Sequence, residues 1–375
     1  MPSLEIPRVI NEHTLIKHTL LKNYIDPWMA IFFAVQKRTG KPQKVIYVDG
    51  FCGPGIYYTD NTKTDKCCGS PLIVAQVANK YLNEDPTRAV IMHCIDKNAV
   101  CTEMLTQSLI DMNMFKQEWE VHHAEFDGKI HEVLDTIDHS DLRDQPMFFF
   151  IDPFGYSGFP MSTLHRIMTY QRAELFINLM VYDIVRFWEE QSENMSALFG
   201  SEEFRNVSNC RSPHEKHVFF VNLYAKSLIS IGVRYVMPFR INTPGQRTRP
   251  RYYLIHASKN IRALRVMKDN MARMSQAPYR FEAIGLISEQ MSLFEDPERE
   301  TLRERIRHFC AKPCADGIKY EALEEWAYVN TNATSSTIKE ALLELEMQKR
   351  ISIERQAKQH KNTVTTGAII RAYGG

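Results

Sequence analysis

The run Val45-Ile46-Tyr47-Val48-Asp49-Gly50-Phe51-Cys52-Gly53-Pro54-Gly55 constrains this chain more than any other. Four consecutive apolar residues, β-branched and aromatic, suit a parallel strand buried on both faces. The acidic residue that ends the run and the glycines beyond it make a turn where backbone can pass close to a ligand. An α/β chain with a doubly covered parallel sheet follows, with ligands expected beyond the carboxyl ends of its strands.

Spacing narrows the ligand. A dinucleotide fingerprint needs Gly-x-Gly-x-x-Gly, and counting from Gly53 the third glycine slot holds Tyr58, so a pyrophosphate fits poorly. Asp49, Phe51, Gly53 and Gly55 instead resemble the Asp/Glu-x-Phe-x-Gly-x-Gly loop of S-adenosylmethionine-dependent methyltransferases. The resemblance implies that the loop through Gly50, Phe51, Cys52, Gly53 and Gly55 wraps a methionine moiety that carries no phosphates. An ordinary tight strand-to-helix turn is the alternative reading.

Met147-Phe148-Phe149-Phe150-Ile151-Asp152-Pro153-Phe154-Gly155-Tyr156 is a second apolar strand ending in an acidic turn. It falls roughly 100 residues after the first, where a fourth strand is due if strands alternate with helices. Between them, Ile91 to Asp96 predicts a second strand, whose terminal Asp96, with Lys97 beside it, could meet ribose hydroxyls. Trp119 to Asp127 predicts a third, supplying Glu125 or Phe126 near an adenine ring. Further strands are expected over 174–180, 234–238 and 251–256, making seven, with a polar helical insert containing Trp188 at about 183–230.

The stretch from His13 to Tyr156, with Gly69-Ser70-Pro71-Leu72-Ile73 after the glycine loop, is similar to the bacterial three-Cys-motif partner family. The similarity extends through Arg251 to Ser258 and the C-terminal region. A more distant resemblance, confined to the core, is to a ribosomal-RNA adenine methyltransferase, matched at Lys17-His18 and Gly69-Ser70-Pro71. There the fourth-strand motif is Asp-Pro-Pro-Tyr; here Phe154 replaces the second proline. Asp-Pro-Phe-Gly is similar instead to the motif of tRNA guanine methyltransferases that modify the exocyclic amine. These resemblances imply S-adenosylmethionine as cofactor, Lys17 over the pocket, and a separate radical-type partner protein bearing the three-cysteine motif.

An aromatic exocyclic amine is a poor nucleophile because its lone pair is delocalised into the ring. Acceptors at the Asp152 carboxylate and the Pro153 carbonyl would localise that pair and aim it, so positioning supplies much of the rate gain. Phe154 or Tyr156 would stack on the base. In a duplex or folded RNA the base must first be extruded, costing a few kcal/mol that an aromatic clamp offsets.

With 375 residues the chain exceeds one ordinary core. The expected organisation is an N-terminal helical segment (1–40), a methyltransferase-type domain (41–280), a linker (281–298) marked by acidic residues and Pro297, and a winged-helix-like domain (299–375). Its three helices are expected near 299–310, 318–328 and 333–348, the third capped by Ser335 or Ser336. No run approaches a membrane span and no signal-peptide core opens the sequence, so a cytoplasmic enzyme with no membrane partner is expected. Eight cysteines read as free thiols. Neither Cys67-Cys68 nor Cys310-x-x-x-Cys314 has zinc-site spacing, and His122-His123 reads as a strand-end pair facing opposite ways, so no metal is expected.

Net charge is only +1, so any nucleic-acid signal must be local. From Arg234 to Lys268 there are nine Lys or Arg residues and no acid, with Arg247, Arg249 and Arg251 beside a Pro-Gly loop. Phosphate contacts or a protein contact would both use such a run. Lys349 and Arg350 begin a basic stretch in the expected wing, while Glu340, Glu344 and Glu346 on the third helix would repel phosphate. Reading DNA, docking a protein and forming a homodimer all remain open for this domain. Three activities stay in view: a methyltransferase for a base amine, a weakly active scaffold of the same fold, and a small-molecule or peptide methyltransferase.

Overall fold

The computed structural model describes residues 9–114, 118–243, 246–274, 279–281, 302–311, 317–331, 333–357 and 360–373. The chain begins with α1 (Glu12–Thr39), β1 (Lys44–Asp49), a hairpin of β2 (Ile56–Tyr58) and β3 (Lys66–Cys68), and α2 (Ser70–Glu84). Alternating elements follow: β4 (Ala89–Asp96), α3 (Ala99–Asp111), β5 (Glu118–His123), α4 (Phe126–Asp138), β6 (Met147–Ile151), α5 (Met161–Met168) and β7 (Ala173–Leu179). The insert comprises α6 (Val181–Phe187), α7 (Ser192–Phe199), a 3-10 turn (Glu203–Asn209) and α8 (Pro213–Ser230). The sheet then resumes with β8 (Tyr235–Thr243) and β9 (Gln246–Ser258), followed by α9 (Ile261–Arg273) and β10 (Tyr279–Phe281).

The main sheet has the order β10-β8-β9-β7-β6-β1-β4-β5. Strands β5, β4, β1, β6 and β7 pair in parallel, while β9 runs antiparallel to both β7 and β8. The seven expected strands are all present in a Rossmann-like sheet with one of them reversed. β10 adds an eighth that the sequence reading did not contain.

Alternation along β1 shows why its sequence is uninterruptedly apolar. Val45 and Tyr47 pack into the layer formed by α1, α2, α3 and α9, whereas Ile46 and Val48 pack into the opposite layer with α4 to α8. Phe148 and Phe150 against Phe149 and Ile151 divide β6 in the same way. A fully buried phenylalanine such as Phe148 contributes about 3 to 5 kcal/mol relative to alanine.

α1 is tied down where it covers the sheet. Tyr24 and Trp28 donate to the Glu174 carboxylate of β7, the latter over 3.1 Å, and Asn270 Nδ2 of α9 donates to the Leu20 carbonyl at 2.9 Å. The helix runs through Pro27 and on to Thr39.

The C-terminal unit contains α10 (Leu302–Cys310), β11 (Ile318–Lys319), α11 (Tyr320–Asn330), α12 (Ser335–Met347), β12 (Ile351–Glu354) and β13 (Ile369–Ala372). Its antiparallel sheet has the order β11-β13-β12. The cap of α12 is Thr334, whose hydroxyl accepts from the Thr337 amide in a reciprocal capping box, rather than Ser335 or Ser336. The linker expected at 281–298 falls, apart from Phe281, outside the described residues.

Candidate functional site

Three neighbouring parallel strands, β4, β1 and β6, end at Asp96, Asp49 and the residue before Asp152. Past β1 the backbone turns with positive φ at Gly53 (60°) and Gly55 (77°), a conformation that favours glycine. A Cβ at Gly53 would lie 2.6 Å from the Tyr57 hydroxyl, and one at Gly55 2.6 Å from Leu105 Cδ1. At Gly50 a Cβ would meet the Phe126 ring at 2.8 Å. The loop therefore has no room for side chains at these turns.

The loop is braced from β4. Asp96 Oδ2 accepts from the Gly53 amide at 2.9 Å, Asp96 Oδ1 accepts from the Asn98 amide at 2.8 Å, and the Cys52 amide donates to the Ile95 carbonyl at 3.0 Å. Cys52 itself turns into the core beside Leu72 and Leu105. Any part it plays toward a ligand is thus through backbone.

Asp49 is fully buried. Its Oδ2 accepts from the Tyr47 hydroxyl at 2.9 Å, while Oδ1 has no partner at hydrogen-bonding geometry. Burial pushes the Asp49 carboxyl up to about 7; Ser70, Tyr47 and the Phe51 amide pull it back, and the Asp152 charge adds to the rise.

A cleft of about 300 Å³ opens over these strand ends, lined by Gly50, Phe51, Asp96, Lys97, Glu125 and Phe126 on one side and Pro153 and Phe154 on the other. Ala124, Asp127, Ser157 and Gly158 complete it. Phe51 and Phe126 pack with ring centroids 5.6 Å apart and form an aromatic floor. Phe154 is 83% exposed at the mouth, and Tyr156 leans on Phe187 of the insert at 6.4 Å.

Asp152 is strongly engaged. Lys17 Nζ donates to its two oxygens at 2.6 and 2.5 Å, and Asn178 Nδ2 donates to Oδ1 at 2.6 Å. Lys17 also lies 5.5 Å from the Tyr252 ring centroid. From the sequence, the Asp152 carboxylate and the Pro153 carbonyl are expected to accept the two amine hydrogens between them. Three of the carboxylate's acceptor positions are instead used by protein donors, so an incoming amine must share this carboxylate with Lys17. Neighbouring His18 is buried, which lowers its imidazole to about 4 and leaves it neutral at pH 7.

Asn178 and Tyr47 were not identified from the sequence as site residues. Each sits inside a largely apolar buried strand, where a polar group is the available signal: Asn178 near the end of β7 and Tyr47 two residues before Asp49. Asp127, Ser157 and Gly158 were also missed as lining residues, and they carry no motif.

The basic residues disperse. Arg247, Arg249 and Arg251 lie on the β9 backbone, but their side chains fall outside the described residues. Others in the acid-free run hold the C-terminal unit: Arg234 pairs with Glu325 at 2.8 Å, Arg265 with Glu324 at 2.6 Å, and buried Lys268 donates to the Tyr328 and Thr331 carbonyls at 2.8 and 2.6 Å. Lys349 and Arg350 are exposed at the turn after α12. Arg355 pairs with Glu346 of α12 at 2.6 Å and Arg371 with Glu354 of β12 at 2.5 Å, which reduces the free positive charge counted along the sequence.

No protein-family model matches this sequence, and no curated protein matches it. Similar solved structures include an rRNA methylase from Streptococcus thermophilus (14% identity, TM-score 0.30, covering 67% of this chain and 98% of that one). An O-methyltransferase from Bacillus cereus, in complex with SAH, shows 9% identity and a TM-score of 0.33 over 68% of this chain and 84% of its own. A precorrin-6y C5,15-methyltransferase from Geobacter metallireducens shows 12% identity and a TM-score of 0.30, covering 59% of this chain and 82% of that chain. Among the described residues, no helix is long and apolar enough to cross a membrane.

Proposed function

We propose that this protein is an S-adenosylmethionine-dependent methyltransferase acting on the exocyclic amine of a nucleic-acid base. The observation that carries the reading is the gathering of Asp49, Asp96 and Asp152 at the ends of three adjacent strands, around a loop that only glycine fits. The cofactor suits the residues present: the buried Asp49 Oδ1 lacks a partner, and the loop borders the cleft at Gly50 and Phe51. Bound there, S-adenosylmethionine would supply an electrophilic methyl group on a sulfonium.

The chain's own residues would do the positioning. Asp96 and Lys97 line the cleft where ribose hydroxyls would lie, with Glu125 and Phe126 beside an adenine. The Pro153 carbonyl and the remaining acceptor capacity of Asp152 would hold the amine, Phe154 would stack on its ring, and Lys17 with Asn178 would keep the carboxylate fixed. The exposed ring of Phe154 at the cleft mouth supports a flat acceptor. Asp152→Ala is expected to abolish methyl transfer and to leave donor binding within about threefold; with one hydrogen-bond acceptor gone from the acceptor side only, the loss lies in transfer. Labelled donor incubated with total RNA, DNA and protein identifies the acceptor. Unchanged transfer by Asp152→Ala would remove the amine-holding role, and label confined to protein would remove the nucleic-acid reading.

The engagement of Asp152 by Lys17 favours a second reading, a scaffold of the same fold with little turnover. Donor binding without transfer to any of those fractions would select it. The resemblance to three-Cys-motif partners adds a separate radical-type protein to the proposal, tested by co-expression of the pair and stimulation of transfer.

A further inference from the structure

We propose that His93, Glu120 and His122 bind one divalent first-row metal ion of the zinc class, at the outer edge of the main sheet and apart from the donor cleft. The site is made by strand register. β4 and β5 pair in parallel with His93 opposite Glu120 and Ile95 opposite His122. Residues two apart on a strand share a face, so Glu120 and His122 stand together beside His93.

The distances are those a metal requires. His93 Nδ1 lies 3.3 Å from His122 Nε2, and Glu120 Oε2 lies 3.7 and 3.5 Å from those two nitrogens. A tetrahedral ion with bonds of about 2.0 to 2.1 Å holds its ligand atoms about 3.3 Å from one another. The two imidazoles are nearly parallel, 18° apart with centroids at 5.6 Å.

A hydrogen bond between the histidines is the simpler use of this pair. It leaves Glu120 unexplained, since a carboxylate 3.5 Å or more from both rings is too far to accept from either. An ion between the three groups would satisfy all of them. Two imidazoles and a carboxylate suit zinc, and three protein ligands leave a fourth position for water. That position faces outward, because the Glu120 side chain is 66% exposed while His93 and His122 are largely buried. Lys129, whose charge is felt by both histidines, is paired with Glu132 at 2.7 Å.

His123 takes no part: its Nε2 lies 3.1 Å from the Lys97 carbonyl, as expected for adjacent histidines facing opposite ways. The expectation of no metal rested on spacing along the chain, which does not register ligands brought together from two strands.

The inference does not depend on methyl transfer. Full-length metal-free protein is titrated with Zn²⁺ against a chromophoric chelator, and with Co²⁺ for its visible spectrum. One equivalent should bind, with the absorption intensity of a four-coordinate ion, and Zn²⁺ should raise the melting temperature. His122→Ala and Glu120→Gln should each weaken binding at least about 100-fold and remove the thermal shift. Glu120 is exposed, so Glu120→Gln keeps the fold testable should His122→Ala not fold. Equal affinity in wild type and Glu120→Gln, absence of a bound equivalent, or binding abolished by Cys67→Ser with Cys68→Ser instead would overturn the assignment.

Discussion

Lowering the pH from about 8 to about 6 is expected to weaken donor binding about tenfold in the wild-type protein and scarcely at all in Asp49→Asn. The reasoning starts from burial, which holds the Asp49 carboxyl up to about 7 with Asp152 nearby. S-adenosylmethionine carries an ammonium and a sulfonium, so it favours the ionised carboxylate, whose buried Oδ1 has no protein partner. With a free-protein value near 7, about nine-tenths of the carboxylate is ionised at pH 8 and about one-tenth at pH 6. Affinity follows that fraction, a loss of about 1.3 kcal/mol across the interval. His18, held at about 4, does not titrate in this window. Titration calorimetry at several pH values, repeated in two buffers of different ionisation enthalpy, reads both the affinity and the proton released on binding. A flat wild-type profile, or the same slope in Asp49→Asn, would refute the assignment of Asp49 as the residue facing the donor's positive charge.

Asp49→Asn should also stabilise the fold, and more at about pH 8 than at about pH 5. The folded pKa lies above the unfolded value of about 3.9, so stability from this group is present below the unfolded pKa and lost as pH rises through the folded one. Thermal melts of the two proteins at both pH values check it. Lys268→Ala leaves two buried carbonyls without their donor and should loosen the C-terminal unit by about 2 to 5 kcal/mol, seen as earlier proteolysis near residue 300 or a second melting transition. Asn178→Ala frees one side of Asp152 and should lower transfer about tenfold with donor affinity unchanged, measured by single-turnover kinetics.

The parallel strands were legible because burial on both faces leaves no polar interruption, so Val45 to Val48 and Met147 to Ile151 stand out from their surroundings. Their acidic ends were legible for the same reason. The hairpin of β2 and β3 was not, since two three-residue strands are too short for a period to emerge. The Lys17, Asp152 and Asn178 cluster joins α1 to two strands, and only the register of β6 with β7 brings the last two together. Charge counting along 234–268 does not register Glu324 and Glu325, which pair with Arg265 and Arg234 from α11, remote in sequence. The same limitation hid His93, Glu120 and His122, whose meeting is a property of two aligned strands.

A crystal of the full chain soaked with S-adenosylmethionine shows whether the cleft holds the donor. Density is expected between Gly50 and Phe126, with the methyl group directed toward Asp152 and Asp49 Oδ1 within hydrogen-bonding reach of the donor. A clear cleft at saturating donor, or the donor bound elsewhere on the protein, would contradict this placement.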